Sequence, residues 1–291
     1  MAAVLLALGS AVLFGAMTVA LRIALRAHPE PDVGALASTV VAVLVALAAA
    51  AVVPGSGDTP ATRELAVFAL AGLLAPGLSQ IMFVLAVRDV GASRTAVLVG
   101  SAPLFGATLA IVFLDEPLEW PLALGAILVV GAGVLLAAEP DRPAHLRVAG
   151  IAFALAATAM FSTRDIVVRW YSEEAELASV EAAAAALAAG ALVMLGWAAA
   201  VRRRALAQAL ARRALVAFLP AGVLFGLSYV LLFEAYYRGK VTVVSPLVAT
   251  ESLWGVLFAA TVLRRSELVG PRLVLGAALV VAGGALIGAH R

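Results

Sequence analysis

Charge is scarce in this chain: of 291 residues only 13% are Asp, Glu, Lys or Arg, while 64% are hydrophobic. A soluble domain carries about 25% charged and about 45–50% apolar residues. Water does not solvate so apolar a surface, and a mean hydropathy of +1.08 makes the bilayer the natural solvent. Cysteine is absent, which excludes disulfide frameworks and thiolate metal sites. The three histidines, His28, His145 and His290, fall in joints or at the chain end without metal-ligand spacing. There is no Ser-His-Asp set, no phosphate-cradling Gly loop followed by Lys and no soluble stretch to house a cofactor. Neither an enzyme nor a cofactor is expected. The net charge of +2 leaves no nucleic-acid footprint.

What is present is a succession of apolar runs, each near the roughly 20 residues that span a bilayer. The first half offers Ala2–Ile23, Val33–Val53, Glu64–Val87, Ala92–Leu114 and Leu118–Ala138. The second offers Arg147–Trp170, Ser179–Val201, Ala214–Tyr237, Val241–Leu263 and Leu268–Ala289. Pro29 and Pro31, Pro54-Gly55, Pro117, Pro140 with Pro143, and Gly239 punctuate the joints. The runs are too long and too uniformly apolar for barrel strands, whose segments alternate over about ten residues. No Lys or Arg precedes Val4, and the first run continues to Arg22. It reads as a retained helix rather than a signal peptide.

Fragments recur at an interval of roughly 150 residues. Gly77-Leu78-Ser79-Gln80 returns as Gly226-Leu227-Ser228-Tyr229, Ala86 as Ala235, and Leu13-Phe14 with Arg22 as Met160-Phe161 with Arg169. Glu116 before Gly125 matches Glu267 before Gly276. These matches predict a duplication, residues 1–140 and 141–291, with five spans in each copy. Five is odd, so the second copy enters the membrane from the opposite side, an inverted repeat. The expected architecture is all-α: ten transmembrane helices in two inverted five-helix repeats around a central cavity.

The first copy reads Ala86 to Ser93 (AVRDVGAS), Ser101-Ala102-Pro103-Leu104-Phe105, Leu114-Asp115-Glu116-Pro117-Leu118, Gly125 and Gly131-Ala132-Gly133. The second reads Ala235 to Lys240 (AYYRGK), Ser245-Pro246-Leu247, Arg265-Ser266-Glu267, Gly276 and Gly283-Gly284. This pattern resembles the EamA-type module of the drug/metabolite transporter superfamily over nearly the whole chain. The resemblance implies a cavity lined mainly by the first, third, fourth, sixth, eighth and ninth helices. It also implies secondary transport of a small metabolite, amino acid or drug by alternating access, commonly export, across the cytoplasmic membrane. Alternatives are a carrier of a lipid-linked sugar or a non-transporting assembly subunit. The expected partners are a small solute and the bilayer, with proton coupling through Glu251; the oligomer is a monomer or a homodimer, for which Gly284 and Gly288 offer a small-residue face.

Arg202, Arg203, Arg204, Arg212, Arg213, Arg26, Arg88, Arg94, Arg142, Arg147, Arg264 and Arg265 fall in odd-numbered joints. Even joints hold Arg63, Arg238 and Lys240, beside Glu173, Glu174 and Glu176. The positive-inside rule then places odd joints in the cytoplasm and both termini outside; the family resemblance implies both termini inside. Arg202 to Arg213, with Leu206 and Leu210 interspersed, reads as a surface-lying amphipathic segment.

Few ionisable groups fall within the spans, where each costs about 2.5–3.5 kcal/mol on insertion scales. Glu251, near the middle of the ninth run, either binds a cationic group of the solute, carries a coupled proton, or makes a structural ion pair. Thr158, Ser162, Asp165 and Arg169 form one helical stripe, so Asp165 is expected to pair with Arg169. Arg164 lies about 100° away from Asp165 around the axis and points to Glu251, Glu234 or a substrate carboxylate as partner. Glu234 is four residues before Arg238, the spacing of an interfacial pair. Gln80 and Tyr229 are equivalent in the two copies and are candidates to hydrogen-bond a solute, as are Ser101 and Ser245. Pro76, Pro103 and Pro246 are expected to kink their helices. Glu116 and Glu267 sit at helix starts, where a carboxylate complements the helix dipole.

Overall fold

The computed structural model describes residues 1–53, 62–106, 108, 120–137, 147–172, 175–263 and 270–289. Among them every regular element is helical. The long helices are α1 (Ala2–Ala27), α2 (Pro31–Val52), α7 (Val148–Ser172), α8 (Ser179–Val201) and α10 (Arg212–Arg238). The third span is broken into α3 (Thr62–Gly72), a π-type turn over Leu73–Leu78, and α4 (Ser79–Val90). The others are α5 (Ala92–Val99), α6 (Trp120–Ala137), α9 (Arg203–Leu210), α11 (Val241–Val248), α12 (Glu251–Phe258) and α13 (Pro271–Ala289). Seven spans among the described residues are long and apolar enough to cross a membrane, with shorter apolar helices at Ala123–Ala132 and Pro271–Ile287. The end of the expected fourth span, with Glu116, lies outside the described residues, as do Glu267, His145 and His290.

Proline and small polar residues decide where spans break. Pro76 offers no N–H to the helix, and Ala75 before it is extended (φ −139°, ψ 112°), the conformation that a following proline favours. Gly91 turns α4 directly into α5 at φ 90°, a conformation that a side chain disfavours. The expected kink at Pro246 is instead a break at Ala249–Thr250, between α11 and α12. There the Thr250 amide and hydroxyl both donate to the Leu247 carbonyl (3.1 and 2.6 Å) and the Leu253 amide to the Thr250 carbonyl. The same motif ends α5: the Ser101 amide and hydroxyl donate to the Leu98 carbonyl (3.2 and 2.6 Å) and the Leu104 amide to Ser101. In both, i→i−3 bonds replace helical ones and tighten the turn.

The packing is reciprocal between halves. Helix α1 lies on α10, and α7 on α4; α2 lies on α10, and α8 on α3 with its π-turn; α1 meets α11, and α7 meets α5; α6 lies on α13. Glycines set the closest approaches. A methyl on Gly222 would fall 2.4 Å from Val41 Cβ and 2.7 Å from the Ser38 carbonyl; one on Gly72 would fall 2.1 Å from the Ala186 carbonyl. Gly284 faces Pro103 and Ala249 within the chain, so intramolecular packing occupies this residue of the expected small-residue pair.

Polar residues sort to the two ends of the bundle. Arg202 pairs with Asp32 (2.6 Å) and the Arg147 amide donates to the Asp89 carbonyl (2.9 Å), joining odd joints to odd joints. About 33 Å away along α8, the Glu64 carboxylate accepts the Leu177 amide (2.8 Å), and Glu234 receives both Ser179 and Arg238. Helix α9 buries Ala209 and packs Leu206 on the core, as its amphipathic pattern predicts. Its arginines border an open cleft of ≈ 590 Å³ with Glu30 and Asp32.

Candidate functional site

An internal cavity between the two halves is lined by Ser10 and Phe14 of α1, Val99 and Ala102 around the α5 break, Phe161, Arg164 and Asp165 of α7, Phe225, Ser228, Tyr229 and Leu232 of α10, and Val248 and Glu251 at the α11–α12 break. Its volume is only ≈ 30 Å³, room for about one water molecule.

Arg164 is 4% exposed and its Nε donates to Asp165 Oδ1 at 2.8 Å. The guanidinium lies 4.7 Å from the Tyr229 ring centroid and 5.6 Å from that of Phe161, so two aromatic faces help to hold the cation. Arg164 Nη1 is buried without a hydrogen-bond acceptor. Tyr236 lies beside Asp165. Two sequence expectations are thereby corrected. Arg164 bonds its neighbour Asp165 rather than Glu251 or Glu234, and Asp165 does not take Arg169. The 100° separation holds at the backbone, but the long Arg164 side chain folds back across it. Arg169 reaches away from the site and donates from Nη1 to the Tyr236 carbonyl (3.0 Å).

Glu251 is 6% exposed and faces the cavity at the α11–α12 break. Among the described residues no hydrogen bond or ion pair satisfies its carboxylate, although Arg164 and Asp165 are near enough to act on it electrostatically. The Tyr229 hydroxyl donates to the Ala75 carbonyl, which the broken third span leaves available. It thereby ties α10 to the π-turn.

Of the residues singled out from sequence, Glu251, Arg164, Asp165 and Tyr229 meet here. Gln80, Ser101 and Ser245 do not line the cavity. Gln80 donates weakly to Ser38 Oγ (3.5 Å), Ser101 closes its own turn, and the Ser245 carbonyl takes the Ala249 amide. Glu234 pairs with Arg238, as its spacing predicts. Sequence reasoning missed Ser10, whose hydroxyl is 3.0 Å from that of Ser228, and the aromatic wall. A lone serine in an apolar helix was the signal for the first. The second had none, because phenylalanine is ordinary in any apolar span.

A helical bundle with bilayer-length apolar helices and a charged centre is a polytopic membrane protein. The chain belongs to the EamA-like transporter family, whose model matches residues 1–138 and again residues 148–289. One solved crystal structure is alike with a TM-score of 0.64 at 18% identity, over 98% of this chain and 95% of that one. At that identity the likeness shows the fold alone. No curated protein sequence matches the chain.

Proposed function

We propose that this chain is a secondary transporter of ten helices in two inverted repeats, residues 1–140 and 141–291, which exports a small solute by alternating access. Several matched details support the repeat. The turns at Ser101 and Thr250 are built alike, the cross-half packing is reciprocal, and the family model matches twice. Related bundles facing each other across a mid-membrane site can expose it to either side by rocking.

The observation that carries the transport reading is the state of charge at the centre. Arg164 and Asp165 neutralise one another. Glu251 is left as the charge facing the cavity, and an uncompensated carboxylate in a low-dielectric interior recruits a cation. Glu251 therefore takes either a proton or the cationic group of a solute, and exchange between them couples transport to pH. The aromatic wall favours a solute with an apolar body. A cavity of ≈ 30 Å³ is too small for such a molecule, so loading requires it to widen. A passive assembly subunit would gain nothing from a buried, unpaired carboxylate.

Purified protein in liposomes is expected to move an amine or amino acid with saturable, pH-dependent kinetics, and Glu251→Gln to stop transport or free it from pH. Unchanged pH-dependent transport in that variant would overturn the role of Glu251. A thermal-shift screen of amino acids, amines, nucleosides and sugars identifies the solute class, since a ligand raises apparent stability by mass action.

A further inference from the structure

Arg22 and Arg169 occupy matching positions near the ends of the first helix of each half, and each does the same thing. Arg22 Nη1 donates to the carbonyls of Val87 (3.2 Å) and Arg88 (2.9 Å) in the last turn of α4. Arg169 Nη1 donates to the carbonyl of Tyr236 (3.0 Å) in the last turn of α10. In both, a cation meets the carbonyl end of a helix, where the helix dipole and the carbonyl oxygens of the last turn favour positive charge.

The two contacts lie at opposite ends of the bundle. The Arg147 amide bonds the Asp89 carbonyl, so α7 starts beside the Arg22 contact. Arg169 is 22 residues further along that helix, about 33 Å at the helical rise, which is the thickness of the hydrocarbon core. The cavity lies between them, and each arginine ties a cavity-lining helix, α1 or α7, to the third span of its own half.

We propose that Arg22 and Arg169 are paired gate residues, one at each membrane face, and that access to the cavity from a given face requires release of the arginine at that face. Both are engaged here, where the cavity has room for about one water molecule. Side-chain bonds of this kind can release without unfolding either helix, and their release leaves the buried Arg164–Asp165 pair intact. The inference rests on the transport reading, because gates matter only where the cavity takes a solute.

The absence of cysteine makes the test direct. Leu232→Cys places one thiol in the cavity wall, with Val99→Cys as a second reporter. A membrane-impermeant maleimide is applied to either face of oriented proteoliposomes. Arg22→Ala is expected to raise labelling from the Arg88 face at least about tenfold, the population change that loss of even a single charge-assisted hydrogen bond permits, and to leave the other face unchanged. Arg169→Ala is expected to do the reverse. Equal increases at both faces, increases at the same face in both variants, or no change in folded protein would overturn the proposal; a merely structural cap would give the first or the last. If an alanine variant fails to fold, Arg→Lys reads the same sign at smaller amplitude. Solute flux in the same liposomes reports separately: one-sided labelling without flux upholds the gates and removes the transport reading.

Discussion

Arg164 and Asp165 are adjacent in sequence, and their bond is a consequence of reach rather than of helical phase. Both charges are legible in the sequence because ionisable residues are so rare within apolar spans. Their pairing is not, because it depends on the aromatic faces of Tyr229 and Phe161 that seat the guanidinium. Removing one partner strands the other. Arg164→Ala is therefore expected to destabilise the fold by about 3–5 kcal/mol, measured by thermal or denaturant unfolding in detergent. Replacing both together, as Arg164→Met with Asp165→Leu, should recover most of that loss while transport stays impaired. Equal destabilisation by the single and double variants would mean that the pair is not the stabilising unit. Glu251 differs in kind: Glu251→Gln should alter the pH profile of transport with little change in unfolding, because no partner within the described residues is lost.

Spans emerge from hydropathy, but their breaks and contacts depend on local chemistry that hydropathy does not register. Pro76 breaks its span where the sequence expects a kink. Pro246 does not; the break falls three residues later, where the Thr250 hydroxyl competes for the Leu247 carbonyl. Gly222 and Gly72 appear in the sequence only as small residues in apolar runs, while in the fold they let helix backbones touch. Gly222→Ala and Gly72→Ala should each cost about 1–3 kcal/mol by overpacking. Gly131→Ala, where an added methyl meets nothing within 4 Å, should be neutral or slightly stabilising by helix propensity. A melt in which all three variants match the parent would remove these glycines from the account of helix packing.

The molecule as a whole has two chemically different ends. Arginine-rich odd joints meet one another at one, and Glu64, Glu181 and Glu234 gather at the other beside Arg238. The bias of positive charge predicts that the arginine-rich end is cytoplasmic and the termini external. A C-terminal fusion to a reporter active only outside the cytoplasm should then give signal, and activity from a cytoplasm-only reporter would reverse the assignment. The two halves also differ: Glu251 and Ala102 occupy equivalent turns and both line the cavity, so the carboxylate belongs to the second half alone.

By itself the sequence determined the solvent, through composition; the helical class, through the length and uniformity of the apolar runs; the recurrence of short fragments at an interval of roughly 150 residues; and the short set of charges that the membrane interior must accommodate. Only the tertiary structure decided which of those charges compensate one another, which serines and aromatics join them, and how small the cavity between them is. The physical reason is that composition and periodicity act along one helix. Charge pairing and cavity shape depend on side chains reaching across helices whose separation is set by contacts distant in sequence.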